Sequence, residues 1–466
     1  MGQLTGELKG TPFIDTFIGA VDITGPANDV FGAAIVNAVV NAFGGNDIIE
    51  GNATVTATEI GGAPEAVGVL SSLIDAGEGN DTFQARATGS TAYGVKWSTI
   101  LGGSGNDVLS IASLSGSSYG AFQSSIDAGS GNDSITISAT TTTGSGAYGV
   151  YQSAVKGGSG DDTIRISAGS QVRSGSGYGV YQSSVEGGDG NDSFSLGGSV
   201  WGVSESAISG GNGNDSFTIS NAVFRSALEG GSGNDSFTIT GGRGGGSGAI
   251  GQGVLESSIN GGDGDDFFDI TGSAGGGGYS EGSGVARSPL SGGNGNDSFT
   301  ILGTVSASRG DAYGVLESSI DGGNGDDSFT ISGIGTSGSV NGYGVSKSVI
   351  NGGDGDDFFE IMGTTLDIKD SLISGGLGND TFKTGTGQGT VDGGGGRDLI
   401  FLDFFNAATM TITELAGRGL EIVGTQDNRG NTADWTQTII NMEQFQVGSN
   451  VFTSAADTVN FLQNVS

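Results

Sequence analysis

The phrase G-G-x-G-[ND]-D recurs so often that it limits the chain to repeat architectures. Ten copies match it in full, ending at Asp107, Asp162, Asp192, Asp215, Asp235, Asp266, Asp297, Asp327, Asp357 and Asp380. Two more, ending at Asp81 and Asp133, begin with Ala, and looser versions end at Asp47 ("AFGGND") and Asp398 ("GGGGRD"). Two residues beyond each of these fourteen aspartates stands a bulky apolar residue, phenylalanine in nine cases, and two further on usually Ile. A spacing of two marks a strand with one buried face, and none of these segments has the 3.6-residue period of a helix.

A second phrase, V-x-x-S-x-[I/V/L]-x-G-G, precedes twelve of the turns and contains an unvarying serine, from Ser72 to Ser371. This serine has the parity of the apolar residue two later, so it is expected to face inward. There its hydroxyl needs partners, which stacked serines or neighbouring carbonyls can supply. Successive motif aspartates are 18 residues apart at the closest (Asp380 to Asp398) and 34 at most. The extra length falls in Gly/Ser/Thr/Ala tracts such as "SATTTTGSGAYG" (Ser138 to Gly149). A constant unit lengthened at one place describes stacked coils with loops on one edge. The predicted fold is all-β: a right-handed parallel β-solenoid, or β-roll, with the Gly-Asp turns on one edge. Residues 1–46 are read as an N-terminal cap of degenerate repeats, 47–402 as the solenoid, and 403–466 as a small β-rich cap ending in a short helix.

Composition narrows the chemistry. The chain has 466 residues, 96 of them Gly, with no Cys, no His and a formal charge of −35. Glycine without an every-third-residue period excludes collagen, and regularly placed apolar residues, 34% of the chain, argue against disorder. The acidity disfavours nucleic acid and anionic membranes. Thiolate or imidazole metal sites and Cys or His catalysis are excluded. What remains for a metal is oxygen, the donor that hard cations such as calcium prefer. Stacking coils at ~4.8 Å sets the motif aspartates nearly over one another, where like charges repel. One calcium ion per gap, held by carboxylates of two turns and by backbone carbonyls, would reverse that repulsion and offset much of the charge.

These repeats resemble the nonapeptide G-G-x-G-x-D-x-U-x of the repeats-in-toxin (RTX) calcium-binding family, over roughly residues 44–402. The resemblance implies a calcium-filled β-roll, export by a type I secretion system through an uncleaved C-terminal signal, and folding outside the cell. It implies that the ligands are the last residues of the turns: Asp81, Asp107, Asp133, Asp162, Asp192, Asp215, Asp235, Asp266, Asp297, Asp327, Asp357 and Asp380. The chain departs from the family in carrying motifs on one edge rather than both. The Asp47 turn lacks the full glycine spacing and Arg397 interrupts the Asp398 turn, so neither is in the ligand set.

The N-terminal "MGQLTGELKGTPFIDTF" has no compact apolar core and is not read as a signal peptide. Val30 to Phe43 is too short to span a bilayer. No toxin or protease module accompanies the repeats, and no H-E-x-x-H is present. Carboxylate pairs such as Asp265-Asp266 lie inside the repeat and are read as turn residues rather than acid/base catalysts; no enzyme is expected. Ice binding is a rival reading. However, the outward row Thr136, Arg165, Ser195, Thr218, Thr238, Asp269, Thr300, Thr330, Glu360, Lys383 is broken by four charges. Tyr93, Tyr119, Tyr148, Tyr178, Trp201, Tyr313 and Tyr343 each precede a glycine, a pattern that fits glycan binding or, more commonly, aromatic packing along an edge. The expectation is an extracellular, cell-surface structural protein (coat, matrix or fibre) that folds on calcium. Its candidate partners beyond the ion are a second copy or cell-surface glycans, and its alternatives are a glycan- or ice-binding solenoid or, less favoured, a β-helical polysaccharide-modifying enzyme.

Overall fold

The computed structural model describes residues 3–25, 31–57, 65–172, 175–242, 244–245, 250–406, 409–415, 419–428, 430 and 432–464. The chain forms two compact units, Met1–Gly231 and Ser232–Ser466. Each is a parallel β-solenoid, and the second ends in an antiparallel cap.

One coil of the first unit shows how the sequence produces the path. Strand Gly146–Tyr151 runs to a corner at Gln152-Ser153, strand Ala154–Ser159 carries the chain into the Gly160–Asp162 turn, and Thr163–Ser170 returns it. Neighbouring coils lie in register: Ile126 sits between Ile100 and Val155, and Ile135 between Leu109 and Ile164. The second unit repeats the arrangement, with Phe299 between Phe268 and Phe329. The inward residues make the core. Phe268, Phe299, Phe329, Phe359 and Phe382 are fully buried and stack ring on ring, their centroids 4.5–5.0 Å apart and their planes within 5° of parallel.

The serine phrase turns out to be a corner, where a straight strand was the simpler reading. The residue before each serine has a left-handed backbone, as at Trp97 (φ 54°), Gln152 (φ 48°), Glu317 (φ 49°) and Asp370 (φ 51°). The expected inward serine is there. Ser318 Oγ donates to Leu316 O at 2.7 Å and accepts the Ser288 N–H at 3.1 Å, and the pattern recurs from coil to coil in each unit. Each hydroxyl therefore closes its own corner and satisfies a backbone donor of the coil before it. The glycine after each tyrosine also has a reason: a methyl added to Gly120 would lie 2.5 Å from both Ile137 Cγ2 and Gly149 O. The two walls of the coil touch there.

Parallel pairing extends into the first 46 residues, since Thr16–Gly25 pairs with Ile48–Ala57 and Phe31–Asn41 with Glu65–Leu70. At the other end, Thr432–Ile440 lies parallel to Gly387–Gly395 and antiparallel to Gly419–Gln426, which pairs with Met410–Leu415. Gln444–Val447 extends the returning strand through Leu399–Phe401. The helix Ala455–Asn464 follows, with Ser454 capping its first turn through the Asp457 N–H.

Candidate metal centre

The Gly-Asp turns are held by backbone that only glycine tolerates. In the Gly102–Asp107 turn, Gly103 has φ +110° and Gly105 φ +121°, and a Cβ on either would overlap a glycine carbonyl of the preceding coil. The close approach lines the inside of the turn with carbonyl oxygens.

Two side-chain ladders run along the turns in opposite directions. The N–H of Asp107 donates forward to Oδ1 of Asp133, and that of Asp133 to Oδ1 of Asp162, both at 2.7 Å. The preceding residue donates backward: Asn106 N–H reaches Oδ1 of Asn80 at 2.7 Å, and Asn132 N–H reaches Oδ1 of Asn106 at 2.8 Å. The second unit shows the same pair of ladders, for example Asp297 to Asp327 and Asp326 back to Asn296, both at 2.7 Å. The outer ladder is exposed and accepts Asn or Asp. The inner ladder is buried and contains only Asp at the fourteen turn positions, although Asn would accept the same N–H.

The difference lies in the second carboxylate oxygen. Oδ2 of Asp47, Asp81, Asp107, Asp133, Asp162 and Asp192, and of Asp266, Asp297, Asp327, Asp357, Asp380 and Asp398, is buried without a hydrogen-bond partner. Burial raises these carboxyls far above the ordinary carboxylate range. Asp81, Asp192, Asp266, Asp327 and Asp380 go to about 6. Asp107, Asp162, Asp215, Asp297 and Asp398 go to about 7, and Asp357 to about 8. The donated N–H pulls each value down, and neighbouring carboxylates push most of them up further. A buried oxygen that is neither hydrogen bonded nor ion paired is costly, so this orphaned row fits a bound cation. Where the turn begins with Gly, the carboxylate packs against it: a methyl on Gly102 would lie 2.6 Å from Asp107 Oδ2, and on Gly292 it would overlap Asp297 Oδ2. Among the described residues no three acidic side chains converge. Backbone carbonyls must therefore supply most of the six to eight oxygens that calcium takes.

All twelve predicted aspartates lie in these rows, Asp81 to Asp215 in the first unit and Asp235 to Asp380 in the second. Sequence reading missed both ends. The Asp15 N–H donates to Oδ1 of Asp47 at 2.6 Å, and a methyl on Gly10 would lie 2.7 Å from Asp15 Oδ2, so Gly10–Asp15 is a further turn. Its signal was "DTF", the same tripeptide that follows in the Asp81 turn. Here Oδ2 is satisfied from within, by the N–H of Thr11 at 2.5 Å and its hydroxyl at 3.0 Å. At the far end Glu443 Oε2 accepts the Asp398 N–H at 2.9 Å, taking the place of the next aspartate. Phe445, two residues later, is buried like its counterparts.

The profile of the RTX calcium-binding nonapeptide repeat (four copies) matches residues 98–110 and 372–406. No curated protein matches the chain significantly. Among solved structures, a hyperactive, Ca2+-dependent, β-helical antifreeze protein from an Antarctic bacterium is similar at 17% identity, covering 96% of this chain and 95% of that one with a TM-score of 0.34. The chain carries RTX-type calcium-binding repeats on a β-solenoid.

Proposed function

We propose that this calcium-binding repeat protein is an extracellular structural solenoid whose coils are joined, at the Gly-Asp turns, by calcium held between the Oδ2 oxygens and turn carbonyls of neighbouring coils. One observation carries the reading. The inner position holds Asp at all fourteen turns of the repeat while the outer position exchanges Asn and Asp, with Arg397 in the last, although Asn and Asp at the two positions do the same backbone-accepting work. If hydrogen bonding were the whole role, Asn would serve better at the inner position, because its amide could donate to the surrounding carbonyls. An invariant carboxylate there asks for a cation. A set built from few carboxylates and many carbonyls belongs to the weak range of calcium sites, about 10⁻⁴–10⁻³ M, characteristic of extracellular modules. The coat, matrix or fibre role at the cell surface that we propose is supported by the repetition of one coil through each unit.

The test is folding itself. Metal-free chain should show little β signal in far-UV circular dichroism and gain it cooperatively as calcium reaches the millimolar range, because binding and folding are coupled. A full β spectrum that excess chelator leaves unchanged would end this reading. A midpoint in the micromolar range would remove the extracellular part of it.

A further inference from the structure

One face of the first unit is unlike the rest of the molecule. Tyr93, Tyr119, Tyr148 and Tyr178 stack with centroids 4.9–5.2 Å apart and planes within 10°. Beside them runs a second column, Phe122, Tyr151 and Tyr181, whose rings stand at 67–82° to their neighbours in the first column at Tyr119–Phe122 and Tyr148–Tyr151. The side chains are half-buried.

Along the adjoining corner an exposed amide ladder runs at the same pitch. Trp97 Nε1 donates to Gln123 Oε1 at 2.7 Å, Gln123 to Gln152 at 2.9 Å, and Gln152 to Gln182 at 3.1 Å. Each glutamine spends one N–H and one lone pair on the ladder, leaving one donor and one acceptor towards solvent in every coil. Tyr93 and Tyr148 hold their hydroxyl protons up to about 12, because burial opposes ionisation, and so present neutral donors. The single cation at the start of the columns, Lys96, is closed off by Glu65 at 2.6 Å and lies 4.1 Å over the Tyr93 ring.

We propose that this face is a binding platform for a neutral, linear polysaccharide lying lengthwise along the columns. The two aromatic columns and the glutamines carry no charge, so they suit an uncharged ligand, while the chain's net −35 disfavours an acidic polymer. Amide donors, amide acceptors and half-buried aromatic rings repeated once per coil reward a ligand whose own groups repeat. Sugar rings supply this with hydroxyls for the amides and C–H faces for the aromatics.

The test is affinity electrophoresis of the full, calcium-loaded chain through native gels containing hydroxyethylcellulose, xyloglucan, galactomannan, laminarin or alginate. Retardation is expected in at least one of the four neutral polymers and not in acidic alginate. The variant Y119F/Y148F/Y178F keeps the stacks and removes hydroxyls, and Q123A/Q152A removes exposed amides; each should weaken retardation about tenfold or more. T300A/T330A, on the second unit, should leave it unchanged. Circular dichroism checks that each variant is β-rich; should the tyrosine variant fail, the surface amide variant decides. No retardation in any neutral polymer, equal retardation in alginate, or retention that survives the amide variant would overturn the proposal. So would inhibition of ice recrystallisation without polysaccharide retention. None of these outcomes bears on whether calcium folds the chain.

Discussion

At the scale of single residues, the inner aspartate does two jobs that one substitution separates. Asp297→Asn keeps an oxygen for the Asp266 N–H, now at 2.8 Å, and puts an amide where the buried Oδ2 stands. The metal-free chain should become more stable, while the calcium midpoint of folding rises about tenfold, a loss of ~1.4 kcal/mol. Calcium titration of the β signal and the residual β signal in chelator give the two readings, and a variant that weakens both would contradict the dual role. The turns at Ala42, Ala76 and Ala128 carry a methyl at the first position, where at Gly292 it would overlap the Asp297 carboxylate, so Ala128→Gly should lower the midpoint and Gly292→Ala should raise it. The titration direction follows from the raised carboxyls. With folded values of about 6 to 8 against an ordinary value of 3.8, the folded metal-free chain holds more protons than the unfolded one between about pH 4 and 8. Its stability is therefore greatest at the acid end and falls as pH rises through that window. With calcium the dependence reverses, since protons compete for the same oxygens. The residual β signal in chelator should therefore fall as pH rises through this window, while the calcium midpoint of folding falls with it, and circular dichroism against pH reads both.

At the scale of the element, each coil from Phe268 to Phe359 rests on a phenylalanine stack, a serine corner and a glycine turn. Ser318→Ala leaves the Ser288 N–H without its acceptor inside the corner, at a cost of about 1–3 kcal/mol. Phe299→Ala opens a hole between two rings at a cost of about 3–5 kcal/mol. Denaturant melts of calcium-loaded variants should rank them in that order. The strands and turns were legible because their signals are local: a two-residue apolar alternation after a fixed glycine pattern. The corner was less so. Val95 and Ser98 are both buried although three residues apart, which strict alternation forbids, and the left-handed Trp97 between them resolves the conflict. Since Trp, Gln, Glu, Lys and Asp all occupy that conformation here, no residue type announces it. The end turns at Asp15 and Glu443 were missed because all their glycines but Gly10 are gone and the spacing from acid to phenylalanine is the main signal left.

At the scale of the whole molecule, the second unit ends by passing from parallel to antiparallel pairing, with Thr432–Ile440 and the strands beyond it laid over the last coil. An uncovered solenoid end is a template for another chain. A chain truncated after Phe401 should still gain β structure with calcium but associate into higher species. Sedimentation of the calcium-loaded truncation against the full chain reads this directly; a monomeric truncation would show that the cap is dispensable for solubility. The left-handed corner has a consequence of another kind. A glycine turn can be written in only one letter, whereas this corner has been written with Ser71, Trp97, Gln123 and Glu205 in the first unit and with Arg287, Glu317, Lys347 and Asp370 in the second. Each occupies the corner of its own coil and is exposed, so any of them can change without disturbing the strands behind it. The edge works like movable type: a fixed frame in which evolution, or a designer, can reset one character at a time at a spacing of about 4.8 Å.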